Sequence, residues 1–154
     1  MKDIPRAAFW MGYAGLIPFV FGALVAMGAI VPFFDPRAFG FLSGPDRLFG
    51  LEILVRFGTI VACFMAGILW GFATHEKVRT WMVYPCSIAP ALWVFFTVRG
   101  ITQDSISALI GAFILVLLVD LWFHRLELVP NWWFALRVPL TLLVIACLAF
   151  GYVA

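Results

Sequence analysis

Five ionisable side chains lie inside or beside the long apolar stretches of this sequence, and chemistry must be sought there first. Asp120 and His124 are four apart, so on a helix they share a face, one turn from each other. An acid next to an imidazole can pass a proton, and a guanidinium such as Arg137 can hold an anion or neutralise the acid. Glu52 and Arg56 repeat the spacing with the acid N-terminal to the base, the better order for a helical ion pair. Charge at the centre of a bilayer costs roughly 2.5–3.5 kcal/mol per residue on insertion scales, so each such group needs a partner or a purpose.

The elements that carry these residues are set by composition. The chain has 154 residues, of which 65% are hydrophobic and 12% charged. Soluble domains average about 45–50% and about 25%. A soluble fold cannot hide that much apolar surface, whereas a bilayer solvates it. Five runs approach the roughly 20 apolar residues that a membrane-crossing helix needs, near 7–31, 48–73, 80–99, 104–123 and 132–153. Lipid satisfies no backbone hydrogen bond and no alternating strand pattern is present, so the expected fold is all-α: one polytopic domain of five transmembrane helices. The first run is too long for a signal-peptide core and reads as a membrane helix. The segment Pro32–Gly50, rich in Pro, Gly and Phe, reads as an interfacial loop, with Ser43-Gly44-Pro45 as a helix start.

With five spans the termini lie on opposite sides. Lys2, Arg6, Lys77, Arg79, Arg125 and Arg137 fall on the N-terminal side, and Arg37, Arg47, Arg56 and Arg99 on the other. That excess points to a cytoplasmic N-terminus in the bacterial inner membrane. Trp10, Trp70, Trp81, Trp122, Trp132 and Trp133 gather near the N-terminal face as an aromatic belt, and Trp93 lies deeper. On the second helix, Thr59, Cys63, Ala66, Gly67, Trp70 and Gly71 fall within or at the edge of the Glu52 face, while Phe57, Val61, Phe64 and Ile68 point away. Two readings follow: a cavity lined by that face, or a helix-packing seam of small residues.

No Walker loop, HExxH, GxSxG or CxxC motif is present, so no enzyme activity is expected. Cys63, Cys86 and Cys147 lack metal-type spacing and read as small apolar side chains. His75 and His124 both fall at one surface rather than facing each other inside the bundle, so neither haem nor another cofactor is expected. A net charge of +2 without a basic cluster argues against nucleic acid.

The ordered set GYAGLIPF (12–19), FGTIVACFMAGILWGFA (57–73), SIAPALW (87–93), the Asp120 region and PNWWFALRVPLT (130–141) resembles a family of small bacterial membrane proteins of unknown function. Its eukaryotic relative is the mitochondrial inner-membrane protein transmembrane protein 69. The resemblance spans nearly the whole chain except the Pro32–Gly50 loop. It implies five membrane helices and an inner-membrane location, and supplies no activity. Asp120 and Arg137 match polar positions of the family, whereas Leu69 stands where relatives often carry Arg or His.

Two functions are consistent with these residues. The first is a non-catalytic accessory or assembly subunit that packs against lipids and other membrane subunits of an energy-converting complex, respiratory or photosynthetic. The alternative is a small oligomeric proton or anion transporter using Asp120 and Arg137, with His124 as polar neighbour. The Asp120–Arg137 and Glu52–Arg56 pairs are structural in the first reading and functional in the second.

Overall fold

The computed structural model describes residues 4–44, 46–74 and 80–154. Lys2, His75, Lys77 and Arg79, used above for orientation and for haem, lie outside the described residues, as does Pro45 of the expected helix start. The rest of the chain is a helical bundle. Its elements are α1 (Arg6–Ala14), α2 (Ile17–Ala26), a short 3₁₀ turn (Pro36–Phe39), α3 (Arg47–Ala73), α4 (Val83–Thr97), α5 (Gln103–Arg125) and α6 (Asn131–Val153). Among the described residues, four stretches are long and apolar enough to cross a bilayer: Arg6–Ala26, Arg47–Ala73, Gln103–Arg125 and Asn131–Val153. The run expected over 80–99 forms only the 15-residue α4.

The first run, expected over 7–31, is helical only to Ala26 and is broken in two. Pro18 lies in the first turn of α2 and has no N–H to offer the Ala14 carbonyl, so the chain bends where α1 ends and α2 begins. The stop after Ala26 is a glycine cap. Gly28 takes φ +71°, its amide donates to the Val25 carbonyl, and the Ala29 amide donates to the Leu24 carbonyl. This is the paired pattern that satisfies the last free carbonyls of a helix.

α3 is the spine of the bundle and touches every other long helix. Its N-terminus is capped by Asp46, which accepts from the Phe49 amide at 3.2 Å. The face that α3 turns inward is Val55, Gly58, Ala62, Ala66, Leu69 and Ala73, all buried. The seam read from the sequence is therefore displaced by roughly 80° around the helix. Of its members, Ala66 is buried and Thr59 half-buried, but Cys63, Gly67, Trp70 and Gly71 are exposed. A Cβ added at Gly67 or Gly71 would meet nothing within 4 Å. Phe57, Val61 and Ile68, expected to face lipid, are half-buried against the bundle. Both sides of this helix are apolar, so amphipathic contrast does not mark its inner face. Leu69, the position that departs from the family pattern, is 1% exposed and packs with Val83, Val116 and Phe123.

The close helix crossing lies elsewhere, at Gly22 of α2 and Gly50 of α3. A Cβ on Gly50 would collide with the Ala26 amide nitrogen and stand 2.6 Å from the Gly22 carbonyl oxygen. Those are backbone atoms and cannot rotate away. Gly50→Ala should therefore separate α2 from α3 and cost on the order of 1–3 kcal/mol, as overpacking does. Gly67→Ala, made into open space on a helix, should be neutral or stabilise by up to about 1 kcal/mol. Thermal unfolding of both variants in detergent checks this, and equal melting temperatures would contradict the crossing.

Candidate functional site

Asp120 lies near the C-terminal end of α5, and Arg137 and Trp133 lie in the first turns of α6. The turn between the helices sets their meeting. After Arg125 the chain stops with Glu127 at φ +55°. The Glu127 amide donates to the His124 carbonyl and the Leu128 amide to the Phe123 carbonyl, the same cap that ends α2. Pro130 then starts α6 running back along α5. This short reversal places residues 120 and 137 at one depth. Arg137 Nε donates to Asp120 Oδ2 at 3.1 Å, and Trp133 Nε1 donates to Asp120 Oδ1 at 2.7 Å. Asp120 is 1% and Arg137 7% exposed. The Arg137 guanidinium also stands 5.9 Å from the centre of the Trp133 ring, within cation–π range.

Trp133 was read from the sequence only as part of a surface belt. A signal for its role existed: Trp133, Arg137 and Thr141 are each four apart and so form one stripe on α6. An indole N–H in a dry region must also find an acceptor. His124 does not join the cluster. Its ring stacks on Phe134 at 5.4 Å between centroids, its Nδ1 is buried without a partner, and among the described residues no hydrogen bond links it to Asp120. The acid–imidazole relay suggested by the spacing is not assembled in this geometry.

Among the described residues, two further buried side-chain polar atoms lack partners: Arg137 Nη2 and Thr141 Oγ1. Both residues line a cavity of about 380 Å³ between α1, α2, α3, α5 and α6. Its walls are otherwise almost wholly apolar, with Phe19, Phe113, Trp132 and Trp133 around the polar pair. Pro139 sits between Arg137 and Thr141 and has no N–H to donate to the Ala135 carbonyl, so α6 lacks that backbone hydrogen bond beside this space.

The second ion pair has a different setting. Glu52 Oε1 stands 2.7 Å from Arg56 Nη2. The Glu52 carboxylate is fully buried and also accepts from the Leu42 amide at 3.0 and 3.1 Å and from the Ser43 amide at 2.9 Å. Arg56 is half exposed and also lies over the Phe41 ring. Glu52 thus ties the Pro32–Gly50 loop to α3, a role the sequence spacing did not show because the partners are backbone amides. Among the described residues, no group of three His, Cys, Asp or Glu side chains is placed to hold a metal ion.

Residues 4–153 match the family described as protein of unknown function DUF3429. Transmembrane protein 69 of Xenopus tropicalis is 32% identical over 151 residues, which covers 94% of this chain and 53% of the relative. The chain thus spans about half the length of that protein. No solved structure matches.

Two sets of variants probe these clusters. Asp120→Asn and Arg137→Gln should each cost about 3–5 kcal/mol, because each leaves a buried charge without its counter-charge. The double variant should lose less than the sum, with a coupling of about 0.5–3 kcal/mol in a double-mutant cycle on detergent unfolding. Additive losses would show that the pair is energetically idle. Glu52→Ala should leave the Leu42 and Ser43 amides stranded and free the loop. Limited proteolysis should then cut between residues 29 and 46 well before it cuts the wild type.

Proposed function

Since the chain belongs to the DUF3429 family, a membrane-protein family to which no activity is assigned, we propose from the geometry that it is a non-catalytic subunit packing against a larger membrane complex. The observation that carries this reading is α4. Its 15 residues span only about 22 Å, against roughly 30 Å of hydrocarbon. A helix that falls short of the bilayer thickness is accommodated by thinning of the bilayer or by association with neighbours. α4 is held from inside by Val83, Ser87, Pro90 and Val94, and by a hydrogen bond from Trp93 Nε1 to the Ala108 carbonyl at 2.9 Å. Its outer side presents Tyr84, Ile88, Leu92, Phe95 and Phe96, and Trp81 stands just before it. Aromatic side chains are the residues enriched where proteins meet.

The class of partner, an energy-converting complex of respiration or photosynthesis in a bacterial inner membrane, rests on the resemblance to a mitochondrial inner-membrane protein. A cytoplasmic N-terminus rests on the Lys and Arg excess. The internal charges suit a structural part, since Asp120, Arg137, Glu52 and Arg56 neutralise one another in pairs. The transporter reading is supported by one feature, the unpartnered Arg137 Nη2 beside the cavity.

Tagged protein extracted from native membranes in mild detergent should co-purify in stoichiometric amount with a respiratory or photosynthetic complex. Replacing Phe95 and Phe96 with Ala should lower that yield at least about fivefold, near 1 kcal/mol, without changing the melting temperature of the subunit. A lone homo-oligomer would sink the subunit reading. Proton or anion flux in vesicles that stops in a folded Asp120→Asn, Arg137→Gln double variant would establish the transporter instead.

A further inference from the structure

We propose that the cavity beside Arg137 and Thr141 binds a quinone-type molecule: a flat apolar ring whose carbonyl oxygen accepts hydrogen bonds from Arg137 Nη2 and the Thr141 hydroxyl. The inference is independent of whether the chain joins a larger complex.

Four observations lead there. First, the Arg137 and Thr141 side chains are at least nine-tenths buried, line the same cavity, and carry a polar atom with no partner among the described residues. Buried donors are otherwise satisfied with few exceptions, because leaving one unmade costs the full desolvation of the group. Two donors one helical turn apart on one face of α6, beside the same cavity, suit a single acceptor oxygen with two lone pairs.

Second, charge selects a neutral acceptor. Asp120 already neutralises Arg137 at 3.1 Å. A carboxylate or phosphate would bring an uncompensated negative charge into an apolar space next to Asp120, where both desolvation and repulsion oppose it. A carbonyl takes the free N–H and O–H and adds no charge.

Third, the walls fit a flat ring. Phe19, Phe113, Trp132 and Trp133 line the space around the polar pair, and about 380 Å³ lies in the range of small-molecule sites, which are mostly apolar with few polar groups. Planar aromatic side chains stack on planar ligands at low entropic cost.

Fourth, the cavity is open to the lipid side. Met11 of α1 and Phe64 of α3, both on its lining, are 73% and 61% exposed. α1 has no fully buried residue, so the element that closes one side is the most loosely held in the bundle. An apolar tail can leave through this opening while the ring sits at the polar pair.

The test uses the full chain purified in detergent. A decyl-substituted benzoquinone is titrated while tryptophan fluorescence and melting temperature are followed, since Trp132 and Trp133 line the cavity. Saturable quenching with a raised melting temperature is expected. Thr141→Val keeps the shape and removes the hydroxyl, and should weaken Kd about five- to tenfold. Ala8→Phe, which fills the cavity from α1, should abolish saturable binding. Thr97→Val, the same change on α4 outside the cavity, should leave Kd as in the wild type. Palmitate and phosphatidylcholine serve as the anionic and ester comparators. The proposal is overturned if the wild type shows no saturable quinone binding or if Thr141→Val binds the quinone as tightly as the wild type. It is also overturned if a comparator, and not the quinone, binds in a Thr141-dependent way.

Discussion

The Asp120 carboxylate is the constraint on which the inner half of this bundle depends. A lone carboxylate at that depth would be ejected or protonated, and a lone guanidinium on α6 would pull its helix toward the interface. Meeting each other, they hold α5 and α6 in one register. The Trp133 indole takes the second carboxylate oxygen, so Asp120 is bonded on both sides by α6. Apolar packing alone would leave that register loose, because lipid tails compete equally well for leucine and phenylalanine. The polar contacts therefore specify which residues of α6 face α5, and Leu136, Leu140, Val144 and Leu148 follow on the buried side.

Glu52 does the corresponding work at the opposite end of the spans, with a different kind of partner. It binds backbone amides of Leu42 and Ser43, which no helix or sheet satisfies, and thereby fixes the aromatic loop against α3. Phe34, Phe41 and Phe49 then stack edge to face in a small cluster beneath that loop. The loop in turn follows the Gly22–Gly50 crossing, where α2 and α3 approach as closely as backbone allows. One end of the molecule is thus closed by backbone contact and the other by a charge pair.

Much of this architecture was legible from hydropathy alone, because span length is fixed by the bilayer and not by tertiary contacts. The Asp120–Arg137 pair was legible for a related reason: charges in apolar runs are few, and only partners at equal depth can meet. The inner face of α3 was not legible. With lipid on one side and protein on the other, both faces are apolar, and small residues alone do not say which one is covered. Gly67 and Gly71 looked like a seam and face open space, while Leu69, a bulky residue, is enclosed. Trp133 escaped notice because tryptophans near a membrane surface are usually belt residues, and Glu52's partners because backbone amides leave no trace in a residue pattern. The shortness of α4 was hidden by apolar residues that extend beyond its helical part.

One stripe of α6 gathers two of the three buried side-chain polar atoms that lack a partner among the described residues. Trp133 is satisfied and Arg137 half satisfied, yet the second guanidinium nitrogen and the Thr141 hydroxyl are buried with no partner. A threonine on a helix can ordinarily return its hydroxyl to the carbonyl four residues back, here that of Arg137. It does not, and Pro139 removes a backbone hydrogen bond of the helix between the two residues. Consistency across levels marks the parts of a fold that serve only stability, and local violations concentrate where a protein works. The violations here are three features in one place: two idle donors, a proline in mid-helix and an open apolar cavity. Stability alone would fill the space with a leucine and place a valine, without the hydroxyl, at position 141. Keeping donors dry and unmet is favourable only when something else supplies the acceptor.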